Sequence, residues 1–210
     1  MAELAELVDP RHTAVLTMEL QRGVSGDLAA MQALAEELRT SGVIDAVALT
    51  CRSARAAGAR VVHCRAVVRP DRAGRLNNCR ILAASAKGAD AIELGTPGAD
   101  VMPELEPSPD DIDMPRLHGL TPFTGTSLDR VLRNMGVSTV VATGNSVNIG
   151  VLGLVLSAVD LGYQVVVPRD AVAGVPSSYA EAVLDNTVAL LATLTTSAQL
   201  AEVWAGSPDR

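Results

Sequence analysis

Residues Val140 to Gly174 read VVATGNSVNIGVLGLVLSAVDLGYQVVVPRDAVAG. The apolar run Thr139–Thr143 leads into a polar turn bounded by Gly144 and Gly150. Apolar residues at helical spacing then run from Asn148 to Leu161, Gly162 stops them, and Gln164–Pro168 is a second apolar run. Strand, turn, helix and strand in this order make a βαβ unit. Parallel strands joined this way need neighbouring strands and helices over both faces. Such sheets place ligands in the crevice at the carboxyl ends of the strands, facing a helix N-terminus. The Gly144–Gly150 turn therefore marks where chemistry is expected. The Val151–Val159 helix is apolar nearly all round, which predicts burial on several sides or contact with a second subunit.

The rest of the chain extends the pattern. Thr13–Met18 and Arg60–Ala66 read as strands, and Ile44 to Ala57 as a helix stopped by Gly58. Asp27 to Ser41 reads as helix or helix with loop. Arg69 to Leu94 is a long excursion with a helix expected over Ile81–Lys87. Asp111–Pro115 is a short strand weakened by its proline. Thr126–Met135 reads as a helix capped by Thr126 or Ser127 and stopped by Gly136. Ser177–Thr193 reads as a helix capped by Ser177 or Ser178, and Leu194–Thr196 as a last edge strand. The expected class is α/β, with a mostly parallel sheet of about five to six strands and helices on both faces.

Composition narrows the partners. The 210 residues suit one domain spanning 1–210. A net charge of −7 argues against a phosphate-backbone partner, and 2% aromatic residues leave no base-stacking platform. Nucleic acid is thus not an expected partner, and no apolar run is long enough to span a membrane. The acidic start MAELAELVDPRH lacks a signal-peptide core, and Cys51, Cys64 and Cys79 show no CxxC spacing. A reduced, cytoplasmic protein is the expectation. Lys87 is the only lysine.

Three places should converge at the carboxyl ends of the strands: Glu19 and Gln21 after the first strand, the segment Arg116–Phe123, and the Gly144–Gly150 turn. Here the chain resembles the isochorismatase-like, or cysteine hydrolase, superfamily. The resemblance rests on TMELQ, LHGLTPFTGTSL, TGNSVNIG and AVDLGYQVVVPRDA. It implies a three-layer, Rossmann-like fold. The family's Asp, Lys and Cys triad falls on Glu19, Leu117 and Gly150, so the carboxylate is one methylene longer and the lysine and thiol are gone. Arg116 and His118 flank the vacant lysine position. True isochorismatases resemble H-I-G at the turn, where this chain has Asn148-Ile149-Gly150; they hydrolyse a vinyl ether without an acyl-enzyme. The metal-ligand cluster of nicotinamidases finds no counterpart in Arg65–Pro70, so neither metal nor cofactor is expected.

The resemblance implies catalytic positions at Glu19, Gly150, Arg116 and His118. It implies ligand contacts at Gln21, Phe123, Asn145, Ser146 and Asn148. It also implies a cis peptide at Asn145–Ser146 and an oxyanion hole built from the Ser146 and Gly150 amides. For individual residues the structural alternatives stay open: Glu19 pairing with an arginine, Gln21 holding local structure, Phe123 and His63 in the core, and the RPDRAGR run as a solvated loop. The leading expectation is hydrolysis of a small molecule without a covalent cysteine intermediate, by vinyl-ether-type chemistry, with Glu19 as acid/base. A catalytically inactive binding member and an atypical amidase are the alternatives. A homodimer or homotetramer is expected. A salt-bridged Glu19 together with a cavity filled by Leu117 would argue against an enzyme.

Overall fold

A computed structural model describes residues 3–85 and 91–206. Strand β1 (Thr13–Met18) is buried at all six positions, as a central parallel strand must be. It pairs in parallel with β2 (Arg60–Ala66) on one side and β4 (Thr139–Asn145) on the other. Among the described residues the sheet has seven strands, six of them in the order β3 (Ile112–Arg116), β2, β1, β4, β5 (Gln164–Pro168), β7 (Thr193–Thr195). The strand beyond the expected five or six is β6 (Val172–Ala173), two residues that pair with Gly144 and Asn145.

Alternation along the strands divides the core. Ala14, Leu16 and Met18 of β1, with Val140 and Ala142 of β4, face α5 (Leu128–Asn134), α6 (Leu152–Asp160) and α7 (Ser177–Asn186). Val15 and Val141 face the other way, toward α2 (Gln32–Thr40), α3 (Val43–Ala56) and α8 (Ser197–Ala205). Two helical layers thus cover the sheet, giving three layers. A short helix, α1 (Leu4–Leu7), precedes β1, and α4 (Arg80–Ser85) stands in the long excursion after β2.

Several boundaries differ from the sequence expectation. The helix expected from Asn148 begins as a π-helical turn, Val147–Val151, and becomes α-helical only at Leu152. Helix α7 ends at Asn186 rather than Thr193 because a 3-10 turn, Val188–Leu190, follows it, and Pro176 rather than a serine is its N-cap. Lys87, the expected end of α4, lies outside the described residues. Pro115 sits in β3, an edge strand, where its missing N–H costs no central ladder bond. On α6, Leu154, Val155 and Ala158 are buried, while Leu156 is 44% exposed and Val159 36% exposed.

The closing helix α8 ties the ends of the chain together. Thr196 caps it in a capping box with Gln199, and Asp170 accepts from the Ser197 N–H at 2.8 Å. Its Trp204 donates to the Val8 carbonyl at 2.8 Å.

Candidate active site

The site begins where β1 ends. Glu19 leaves the strand with φ of +55°, a left-handed conformation that costs a non-glycine residue of order 1 kcal/mol. Its backbone is held from three sides. The Glu19 N–H donates to the Cys64 carbonyl at 2.9 Å. Ser25 Oγ donates to the Glu19 carbonyl at 2.7 Å, and Asn145 Nδ2 donates to Ser25 Oγ at 2.6 Å and to the same carbonyl at 3.3 Å. Gly144 is required beside them: at φ +103°, a Cβ there would lie 2.3 Å from the Met18 carbonyl oxygen.

The Glu19 carboxylate accepts a charge-assisted hydrogen bond from Arg116 Nη2. Arg116 comes from the end of β3, two strands away, and its side chain is only 4% exposed against 20% for Glu19. Its Nε donates to the Gly119 carbonyl at 3.2 Å, while Nη1 is buried with no hydrogen-bond partner. Both side chains line a cavity of about 470 Å³. His118 lines it too, with its ring against Gly125, where a Cβ would come within 2.5 Å of His118 Cε1. Leu117 borders the cavity and is 40% exposed; it does not fill it. Glu19 is therefore salt-bridged, but the space beside it is open.

The other expected positions lie apart from this cavity. Gln21 is fully buried and spends both ends of its amide on Ala66: Nε2 donates to the Ala66 carbonyl and Oε1 accepts from the Ala66 N–H, each at 2.8 Å. Asn145 is consumed in the Ser25–Glu19 clamp just described. The Asn145–Ser146 peptide is cis. The Ser146 carbonyl accepts from the Ile149 and Val151 N–H groups, both at 3.0 Å. Asn148 points its Oδ1 toward Gly174, 3.3 Å from where a Cβ would stand. Phe123 is buried against Tyr163, with ring centroids 5.8 Å apart. Gly150 is closed in: a Cβ there would meet the Asn145 carbonyl oxygen at 2.8 Å and the Met18 side chain at 3.2 Å.

The cavity's walls come from residues that sequence reasoning left unassigned. Val67 and Val68 follow β2, Leu76 and Ile81 belong to the long excursion, and Met31 precedes α2. A cluster of apolar residues inside an otherwise polar excursion was the available signal. Within RPDRAGR, Arg69 pairs with Asp71 and Arg72 with Glu93, and Arg75, on the cavity wall, donates to Ser85 Oγ at 3.4 Å.

Behind the sheet lies a second polar group. His63 is buried, its Nδ1 2.8 Å from Thr17 Oγ1 and its Nε2 3.1 Å from Asp111 Oδ2. Arg55 pairs with Asp111 at 2.8 Å. Burial pushes the His63 pKa below its ordinary 6.5, against the raising effect of Asp111. Burial pushes Asp111 up, but hydrogen bonds from Arg55, the Ser108 amide and His63 outweigh it and hold Asp111 below the ordinary carboxylate value. Burial also raises the Cys51 and Cys64 thiols to about 12. Among the described residues, no three His, Cys, Asp or Glu side chains are grouped to hold a metal ion. No helix among them is long and apolar enough to cross a membrane.

A mostly parallel sheet between two helical layers, with this crevice, the cis Asn145–Ser146 peptide and Asp170-Ala171 in the 3-10 turn after β5, is the three-layer α/β fold of isochorismatase-like hydrolases. The Isochorismatase domain family model matches residues 13–199, and the chain belongs to that family. Among solved structures, it is similar to a cysteine hydrolase from Pseudomonas syringae pv. phaseolicola at 22% identity and TM-score 0.80, covering 96% of each chain. An isochorismatase family protein from Burkholderia thailandensis is 26% identical with TM-score 0.78, over 93% of this chain and 96% of that one. An N-carbamoylsarcosine amidase from Thermoplasma acidophilum is 24% identical with TM-score 0.68, over 89% and 96%. No curated protein matches the sequence.

Proposed function

We propose that this isochorismatase-family protein hydrolyses a small molecule without a covalent enzyme intermediate. One observation carries the reading: the Glu19 carboxylate, fixed by Arg116, borders an open cavity of about 470 Å³ at the carboxyl ends of the strands. The Gly150 position bears no nucleophile, and burial holds the Cys64 thiol far from its reactive thiolate form. Water is then the attacking group.

Glu19 is an acceptor toward Arg116 and works first as a base. It takes one proton from a water whose oxygen bonds to the electrophilic carbon of the ligand. The bond to the leaving atom breaks, and the proton passes from Glu19 to that atom. Arg116 orients the carboxylate and offsets its charge, and His118 stands on the same wall as a further polar contact. Proton transfer by a positioned side chain contributes typically about 10²–10⁴-fold. Esters follow this order. A vinyl ether instead takes a proton from protonated Glu19 at its terminal carbon; water adds to the resulting oxocarbenium carbon and returns a proton to Glu19, and the hemiketal then collapses to carbonyl and alcohol. Simple amides suit a site without a nucleophile less.

The second reading is a binding protein that kept the cavity and lost the chemistry. It is favoured by the crowding at Gly150 and by the engagement of Glu19 with Arg116. Turnover of a vinyl-ether, ester and amide panel separates the two. The hydrolase reading expects turnover with no change in the mass of protein quenched in mid-reaction. An absence of turnover alongside saturable ligand binding would favour the binding protein, and a covalent adduct would overturn the water mechanism.

A further inference from the structure

The cavity that borders Glu19 carries more information than its volume. Its polar end is small and deep: Arg116 is 4% exposed, and its charge is already matched by Glu19. Its outer part is aliphatic, built from Val67, Val68, Ile81, Leu82 and Ile92. Three large apolar side chains from separate segments border it while facing solvent: Met31 is 55% exposed, Leu76 46% and Leu117 40%. Apolar surface converging on one cavity marks a place that a ligand covers. No Phe, Tyr or Trp takes part, and the ring on its wall is the imidazole of His118, packed against Gly125. The chain has one Phe, two Tyr and one Trp, and Phe123, Tyr163, Tyr179 and Trp204 all lie elsewhere. A flat heteroaromatic ligand would find no stacking face of that kind.

We propose that the cavity takes a non-aromatic, uncharged molecule. Its aliphatic body packs against α4 and the residues after β2, and its polar head presents an acceptor to Arg116, while Glu19 accepts from a donor on the head or, where the head is an ester or vinyl ether, from the attacking water. The head is uncharged because, beside the Glu19–Arg116 pair, an anion would also face the carboxylate and a cation the guanidinium; the other guanidinium on the wall, Arg75, donates to Ser85 Oγ at 3.4 Å. Arg116 Nη1, buried without an acceptor, is the donor left over for that head. This assignment rests on the cavity being the ligand site of the proposed hydrolase.

Calorimetric titration of the intact protein with butanamide, hexanamide, octanamide, octanoate and nicotinamide tests it. Affinity should tighten about fourfold per added methylene from butanamide to octanamide. Octanoate should bind at least tenfold more weakly than octanamide, and nicotinamide should not saturate. Leu82→Glu, a half-buried wall residue, should abolish the chain-length dependence, and Leu190→Glu, 83% exposed and remote, should leave it intact. Equal binding of octanoate, preferential binding of nicotinamide, or a chain-length dependence insensitive to Leu82→Glu overturns the proposal. If the amides bind as expected while no substrate turns over, the ligand class stands and the hydrolase reading fails. If esters turn over without preference for aliphatic chains, the hydrolase reading stands and the ligand class fails.

Discussion

Arg116 and Glu19, 97 residues apart in sequence, meet across the carboxyl ends of β3 and β1. The pair joins the segment around the expected lysine position to the residue after the first strand. A cation is thus supplied to the carboxylate by Arg116, one residue before Leu117, where the resemblance leads us to expect the family's lysine. Arginine holds its partner through a planar fork, here with Nε on Gly119 and Nη2 on Glu19, so it fixes direction as well as charge.

Removing one member of this pair should cost more than removing both. Arg116→Met leaves a largely buried carboxylate without its cation and should lower stability by roughly 3 kcal/mol or more. Arg116→Met combined with Glu19→Gln should recover part of that loss. Urea denaturation of the two single variants and the double variant measures the coupling; additive losses would mean that the two side chains do not depend on one another.

Gln21 is expected to matter for folding rather than for ligand affinity. Gln21→Leu strands the part-buried N–H and carbonyl of Ala66, at up to about 1–3 kcal/mol for each group. The unfolding midpoint should fall while the affinity for octanamide at low temperature stays within twofold. A large loss of affinity in a variant of unchanged stability would instead make Gln21 a ligand contact.

Placing a thiol at Gly150, where the resemblance leads us to expect the family's cysteine, should not produce covalent catalysis. The Cβ of Gly150→Cys would press on the Asn145 carbonyl oxygen and on Met18, so the variant should lose about 1–3 kcal/mol. It should show no burst of acyl-enzyme. Adding Met18→Ala relieves only the side-chain part of the crowding. A stable Gly150→Cys protein with a rapid acylation burst would contradict the packing described here.

Acid should weaken the fold in two stages. His63 has its pKa depressed in the folded protein, so the unfolded chain binds more protons as pH falls through about 6.5, and stability drops. That loss stops accumulating once folded His63 is protonated too. Asp111, also depressed, adds a second loss as pH falls below the ordinary carboxylate value of about 3.9. One such group changes stability by at most about 1.4 kcal/mol per pH unit. Urea denaturation between pH 5 and 8 should show stability rising with pH, and His63→Gln should flatten part of that slope. An unchanged slope in that variant would place the pH dependence elsewhere.

Much of the fold was legible because parallel-sheet strands are short, apolar and bounded by glycine or charge. Arg60–Ala66 and Gln164–Pro168 have the limits that their sequences suggested. Helix α8 went unread although Thr196 and Gln199 carry a capping-box spacing; the preceding edge strand, only three residues long, hid where the helix began. The π-helical start before α6 leaves no periodic signature, because five residues are too few to distinguish it from an α-helical turn. Within the site, sequence placed Glu19, Arg116 and His118 near one another but left open whether Glu19 paired with an arginine. That depended on the register between β2 and β3, in which Ala66 stands opposite Arg116. The cavity walls were hidden for a different reason: Leu76 and Ile81 sit in a segment whose polar residues dominate its composition.

The most direct measurement is kcat/KM for the wild type and for Glu19→Gln on the ester and vinyl-ether panel, with the folded state of both checked by thermal unfolding. Glu19→Gln keeps the shape of the side chain and a hydrogen-bond acceptor for Arg116, and removes the proton-transfer group. The account predicts measurable wild-type turnover that falls by about 10²–10⁴-fold in a variant that remains folded. Equal turnover by the two proteins, or none by the wild type, would contradict it.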